Sequence, residues 1–204
     1  MTSSTPSPRS RKRPEERREE ILGAAADIAL EEGIERITLR AVADRLGVRP
    51  GLITHYFPAA EDLVIEAFTR AAEVERERFF PAAGTPVERL VHFIRYIESG
   101  TSAPLARLWL NARHLSRFSE PLRVVLDEQD ALDRERLLAL LREGVAAGEF
   151  GEVDVEVVCA RIFIAVDGSG SYVNSGADLL GEAHAHFISD VAEWALGMPS
   201  GALR

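Results

Sequence analysis

"GVRPGLITHYFPAAEDL" occupies residues 47–63, and the reading of this stretch decides the fold. Gly47 closes one helix. Pro50 suits the first turn of the next, where its missing N–H leaves no hydrogen bond unmade. Reading backwards, Leu39, Val42, Ala43 and Leu46 form a short helical stripe behind Thr38, which suits the N-cap. Two short helices joined by a tight glycine turn make a helix-turn-helix. Ile53, Tyr56 and Phe57, with Val48 before them, fall at spacings that face the preceding helices. Arg49, Gly51, Leu52, Thr54 and His55 are left outside. The alternative is a plain corner between two core helices, which needs no such outer face.

Outward from this unit the pattern stays helical. Ile21, Leu22, Ala25, Ile28 and Ala29 line one face of a first helix that begins after Pro14. It stops at "EEG" (31–33), with Gly33 suited to a left-handed cap. Downstream come longer helices: about twenty residues from 60, ended by Pro81 and Gly84, then one opened by Thr85, Pro86 and Glu88. That trio is a capping box with proline in the first turn. Further helices are expected at about 103–117, 120–147, 154–173 and 177–196. No period-two run reads as a strand and no repeat is present. The expected fold is all-α. It divides into a basic disordered arm (1–13), a three-helix helix-turn-helix domain (14–59) and a larger helical domain (60–204).

The bulk numbers fit a soluble chain. At 204 residues with 46% hydrophobic content it can bury a real core, and no apolar run approaches the roughly 20 residues a membrane helix needs. No apolar segment follows the basic N-terminus, so a secretory signal is not expected and a cytoplasmic location is. The single cysteine, Cys159, offers neither a disulfide nor a metal cluster. The net charge of −9 argues against nucleic acid only until its distribution is seen. Residues 1–63 carry ten basic and eleven acidic side chains, and the remainder fourteen and twenty-two. Arg9, Arg11, Lys12, Arg13 and Arg17 cluster at the start, which permits a local phosphate-binding surface on an acidic protein.

The outer face of the second helix has the chemistry of a DNA reader. Arg49 sets a cation at its start, Pro50 opens it, and Gly51 allows close backbone approach. His55 can donate or accept at a base edge, and Leu52 can meet a thymine methyl. Thr38, Thr54 and the Tyr56 hydroxyl suit phosphate oxygens, and Arg40 joins this set. "ITLRAVADRLGVRPGLITHYFPAAEDL" (37–63) resembles the helix-turn-helix of the TetR family of transcriptional regulators, through Thr38, Ala41, Ala43, Leu46, Gly47, Val48, Gly51, His55, Tyr56, Phe57, Glu61 and Leu63. "REEILGAAADIALEEGIERIT" (18–38) is similar to the family's first helix. The chain departs from the pattern where the family usually has Ser or Thr (Arg49), often Tyr (Thr54), and usually a phosphate-gripping Lys after Tyr-Phe. Pro58-Ala59-Ala60 provides no cation there, so Arg49 and the basic arm are left to supply charge.

The resemblance implies that residues 60–204 form a ligand-binding and dimerisation domain. Residues 108–154 and "FIAVDG" (163–168) are similar to the BetI-like subgroup. Such proteins usually pair their last two helices as a four-helix dimer bundle, which puts Gly168, Phe187, Val191 and Trp194 at the interface. Polar or aromatic groups on apolar faces are the candidate pocket: His92 with Tyr96, Trp109 with Arg113, and Phe163 with Asp167, each pair one turn apart. Each has an ordinary alternative. Trp109 and Phe163 also suit a plain core, Asp167 a neighbouring arginine or helix end, and His92 and His114 a partly exposed surface.

The expected function is therefore a DNA-binding regulator, a repressor controlled by an unknown small molecule. It is expected to bind a palindromic double-stranded operator as a homodimer, with two reading helices in major grooves about 34 Å apart. No cofactor is expected. One alternative is a helical binding protein without specific DNA recognition, which the missing Lys favours. The other is an all-helical enzyme. Against the enzyme, His184 and His186 are two apart and point different ways, and "GSGS" (168–171) lacks the strand and Lys of a phosphate loop.

Overall fold

The computed structural model of the chain describes residues 12–175 and 182–204. Most of the expected N-terminal arm, with Arg9 and Arg11, and the beginning of the expected last helix lie outside the described residues. Every regular element among the described residues is helical. They are α1 (Pro14–Glu31), α2 (Leu39–Leu46), α3 (Pro50–Tyr56), α4 (Ala60–Phe79), α5 (Pro86–Glu98), α6 (Ala103–Leu115), α7 (Glu120–Ala146), α8 (Val155–Gly170), α9 (Glu182–Ala185) and α10 (Phe187–Leu196).

Two local expectations are corrected. Glu32, not Gly33, caps α1, and Gly33 adopts φ 117°, ψ 149° outside the left-handed helical region. It leads into a 3-10 turn, Ile34–Arg36, that a three-residue stretch gives no periodicity to announce. The final helix is not continuous to 196, because His186 leaves helical geometry (φ −125°, ψ 21°) and separates α9 from α10. Elsewhere the caps act as the residues dictate. Thr85 Oγ1 accepts from the Glu88 N–H (3.3 Å) while Glu88 accepts from the Thr85 N–H (2.9 Å).

Helix α1 lies along α4 and also meets α2 and α6. Helix α7 touches α4, α5, α6 and α8, and α8 packs on α10. The buried side chains form one continuous core from Ile21 to Leu203. The helix-turn-helix unit is thus not an appendage. Helix α4 belongs to both ends, burying Leu63, Ala67 and Phe68 early and Glu75, Arg76 and Phe79 late.

A close approach fixes the start of α8, one wall of the cavity described below. After Gly148 (φ 71°) the chain turns back, and the Glu149 and Phe150 N–H groups donate to the Gly144 carbonyl at 2.9 and 3.1 Å. The buried Phe150 ring then sits where a side chain on Gly144 would be, 2.1 Å from the position of a Cβ. Helix propensity alone favours Gly144→Ala by about 1 kcal/mol. The overlap reverses the sign, and a net loss of about 1–3 kcal/mol is expected from the forced repacking. Urea unfolding of Gly144→Ala beside Gly144→Ala/Phe150→Leu checks this, since the double variant relieves the overlap.

Candidate functional site

Two regions collect the candidate residues. The first is the outer face of α3. Gly47 takes the left-handed conformation (φ 63°, ψ 37°), and the Val48 N–H bonds back to the Ala43 carbonyl at 3.0 Å. This reverses the chain within three residues, and α3 starts at Pro50 against α2. Ile53 and Phe57 are fully buried and Tyr56 half-buried, so the inner face is the one expected from spacing. Arg18 of α1 lies over the Phe57 ring at 4.9 Å and pairs with Glu66 of α4, clamping the end of α3 between two helices.

Arg49, Pro50, Gly51, Thr54 and His55 are exposed and Leu52 is half-buried. His55 meets Tyr56 edge-on at 5.2 Å. Thr54 donates its hydroxyl to the Pro50 carbonyl at 3.2 Å. Thr38 is exposed and accepts from the Ala41 N–H at 3.0 Å, which leaves its own O–H to donate outward. Arg40 sits 3.7 Å from Asp44, both strongly exposed. Arg49 makes no side-chain cap. A cation at a helix N-terminus opposes the helix dipole, so Arg49 does not stabilise α3 from there. Arg36, on the 3-10 turn, is an exposed cation that periodicity did not single out.

The second region is a cavity of about 560 Å³ among the helices that follow α3. Trp109 and Arg113 of α6 and Phe163 and Asp167 of α8 line it together. Arg113 donates to Asp167 (2.8 Å) and to Asp130 of α7 (3.1 Å), and its guanidinium lies over Trp109 at 5.4 Å. His92 and Tyr96 are not on this wall. They line a separate groove on α5, where His92 Nε2 bonds the Arg78 carbonyl (2.7 Å) and Tyr96 donates to Glu75 (3.0 Å). Burial, then the Glu75 carboxylate, raise the Tyr96 pKa. Their spacing places them on one face of α5, and that face turns away from the cavity.

Missed by spacing were Phe79, Phe80, Phe93, Asp130 and Asp133 of the cavity wall. One signal was available for α7. Leu122, Leu126, Gln129, Asp133, Leu137 and Leu140 recur at steps of three and four, and Gln129 and Asp133 are the polar members of that stripe. Gln129 is buried and the Asp133 side chain is 15% exposed. Both hold Arg76 of α4: Asp133 at 2.5 Å and the Gln129 side chain at 2.7 Å. Burial outweighs Arg76 and pushes the Asp133 pKa up to about 6. Burial raises Asp130 as well, against the pull of Arg113.

The expected dimer residues sit on the outer side of α8 and α10. Gly168 is exposed, Phe187 and Trp194 are 43% and 67% exposed, and Val191 is half-buried. Ile164, 71% exposed, extends this apolar face, and Arg161 lies over Trp194 at 4.3 Å. Among the described residues no helix is long and apolar enough to cross a membrane, and no group of three His, Cys, Asp or Glu is placed to hold a metal.

Comparison with known proteins places the same stretch first. The profile described as "Bacterial regulatory proteins, tetR family" matches residues 21–67, which run from α1 into α4. The HTH-type transcriptional repressor KstR of Mycolicibacterium smegmatis is 40% identical over 78 residues, 37% of this chain and only 38% of that protein's length. The HTH-type transcriptional repressor KstR2 of the same organism is 26% identical over 163 residues, covering 78% of this chain and 77% of the relative. A TetR transcription regulator from Haloarcula marismortui superposes with a TM-score of 0.67 at 18% identity, over 89% of this chain and 95% of the other. That likeness is one of fold, and it extends the agreement through the larger helical domain. With the helix-turn-helix built as its residues require, residues 21–67 form a domain that matches the TetR family of bacterial regulatory proteins, and the fold likeness continues through the rest of the chain.

Proposed function

We propose that the protein is a cytoplasmic homodimeric transcriptional repressor whose hold on a palindromic operator is set by a small molecule in the cavity. One observation carries this reading: α3 is pinned through Ile53 and Phe57 while Arg49, Gly51, Thr54 and His55 stay exposed. A corner helix buried for stability alone has no use for that face. The repressor relatives support it. The apolar face of α8 and α10 supports the dimer, because large exposed apolar patches mark interaction sites. The cavity's aromatic walls and few polar groups suit an effector. Helix α4 reaches from Leu63 near α3 to Phe79 on the cavity wall, so it is the lever between the two sites. A typical coupling of about 1–3 kcal/mol requires only that the effector prefer one spacing of the reading helices.

The lack of a cation at Pro58-Ala59-Ala60 favours the second reading, a helical binding protein without specific DNA recognition. Titration of the full chain against its own upstream DNA over several salt concentrations separates the two. Tight binding with a steep negative salt slope is the expected result. Affinity no greater than for scrambled DNA at every salt level overturns the repressor. Within that assay, His55→Ala is expected to narrow the gap between operator and scrambled sequence by about 1–3 kcal/mol without shifting the melting transition. Tyr56→Phe should instead weaken both DNAs about equally.

A further inference from the structure

We propose that the cavity takes a cationic ligand with an apolar, ring-bearing body, such as an amine or quaternary ammonium, whose charge is received by Asp130 and Asp167. The inference deepens, and rests on, the reading of this cavity as the effector site.

The charged wall is unbalanced. Glu98, Asp130, Asp133 and Asp167 face the cavity, with Arg113 the one arginine or lysine lining it among the described residues. Two of these carboxylates are occupied elsewhere. Asp133 is held by Arg76, and Glu98 accepts from the Ser189 N–H (2.8 Å) and hydroxyl (3.2 Å), with His186 Nδ1 at 3.8 Å. The remaining three groups form a triad with one negative charge in excess. Arg113 takes Oδ1 of both Asp130 and Asp167, and the other oxygen of each accepts no hydrogen bond among the described residues. Arg113 is already committed to two carboxylates and a Trp109 face, so an incoming anion would have to break those contacts while facing four carboxylates.

A cation meets the opposite situation. The second oxygens of Asp130 and Asp167 are acceptors on a wall that also presents Phe79, Phe93, Trp109, Phe163 and Tyr172. Aromatic faces attract ammonium groups, most strongly where water is excluded. The Asp130 and Asp167 side chains are 42% and 50% exposed, so a cation entering the cavity can reach their second oxygens. Ser169 Oγ and His184 Nε2, also on the wall, are shielded from solvent and have no hydrogen-bond partner among the described residues. They provide polar contacts for a ligand's uncharged groups.

The test uses the full-length protein without DNA and three probes of one shape: 3-phenylpropyltrimethylammonium, 4-phenylbutyrate and 4-phenylbutan-1-ol, titrated by calorimetry at low salt. The ammonium is expected to bind at least tenfold more tightly than the alcohol, and the carboxylate more weakly than either. Asp130→Asn and Asp167→Asn should each cut ammonium affinity about tenfold and leave the alcohol within twofold. Circular dichroism melting confirms that each variant folds. A carboxylate preference, an ammonium preference unchanged in both Asn variants, or binding of none of the three overturns the proposal. Operator binding is measured separately. A protein that selects the ammonium but ignores its upstream DNA loses the repressor reading and keeps this one.

Discussion

Arg76→Met is expected to destabilise the protein by about 3–5 kcal/mol at pH 7, the cost of breaking a buried ion pair from one side. Arg76 is 6% exposed and donates to Asp133 and Gln129 of α7. Methionine fills much of its volume but donates nothing. Asp133 is then left as an uncompensated buried charge, with the Gln129 side chain short of a donor. Such a loss is a large share of the roughly 5–15 kcal/mol that holds a typical domain together.

The pH dependence gives this prediction a second arm. Asp133 in the folded protein titrates at about 6, above the roughly 4 of an unperturbed aspartate. Between those values the native state binds more protons than the unfolded chain. Stability from this group is therefore highest below about pH 4 and falls as the pH rises through 6. Removing Arg76 raises the Asp133 pKa further, so the defect of Arg76→Met should shrink as the pH is lowered from 7 to 5. Urea midpoints at the two pH values measure it. Arg76→Met/Asp133→Leu should recover much of the loss, because an apolar pair leaves no buried charge behind. A pH-independent defect, or no recovery in the double variant, contradicts this account of the α4–α7 contact.

How far the sequence reached depended on whether a feature is local. The starts of α2, α5 and α7 are written in a few adjacent residues: Thr38, Thr85 with Pro86 and Glu88, and Ser119 with Pro121, whose Ser hydroxyl accepts from the Leu122 N–H. The inner face of α3 follows from spacing because α2, α3 and the turn between them are fixed within about twenty residues. The cavity obeys no such local rule. Periodicity states that His92 and Tyr96 share a face, and Trp109 and Arg113 share another. Which face meets which helix depends on crossings set by the whole core. Hence the pairs expected on α6 and α8 line the wall, whereas α5 turns Phe93 and Glu98 to it rather than His92 and Tyr96. Asp130 was hidden for the same reason, since an aspartate beside a Leu stripe reads as a solvated edge until α6 brings Arg113 to it. The 3-10 turn after α1 and the break at His186 lack any repeat long enough to read.

Phe57→Ala is the second large effect, about 3–5 kcal/mol as for other fully buried aromatic truncations, and it separates what holds α3 from what α3 presents. Phe57 is 1% exposed, its N–H bonds the Ile53 carbonyl at 2.9 Å, and Arg18 covers its ring. Its loss opens a void at the seam where α1 and α4 meet the end of α3. The Arg18 contact, itself worth about 0.5–1 kcal/mol when exposed, goes with it. Thr54→Ala removes an exposed hydroxyl three residues earlier and should change stability by no more than about 0.5 kcal/mol. On DNA the two should behave differently. Phe57→Ala should weaken operator and scrambled DNA together, because a loosened helix loses its fixed register against every sequence. Thr54→Ala should lower affinity while the unfolding transition stays in place. Chemical denaturation alongside operator and scrambled-DNA titrations distinguishes them. If Phe57→Ala unfolds within 0.5 kcal/mol of the parent protein, the residue is not the anchor that leaves the outer face of α3 free to read.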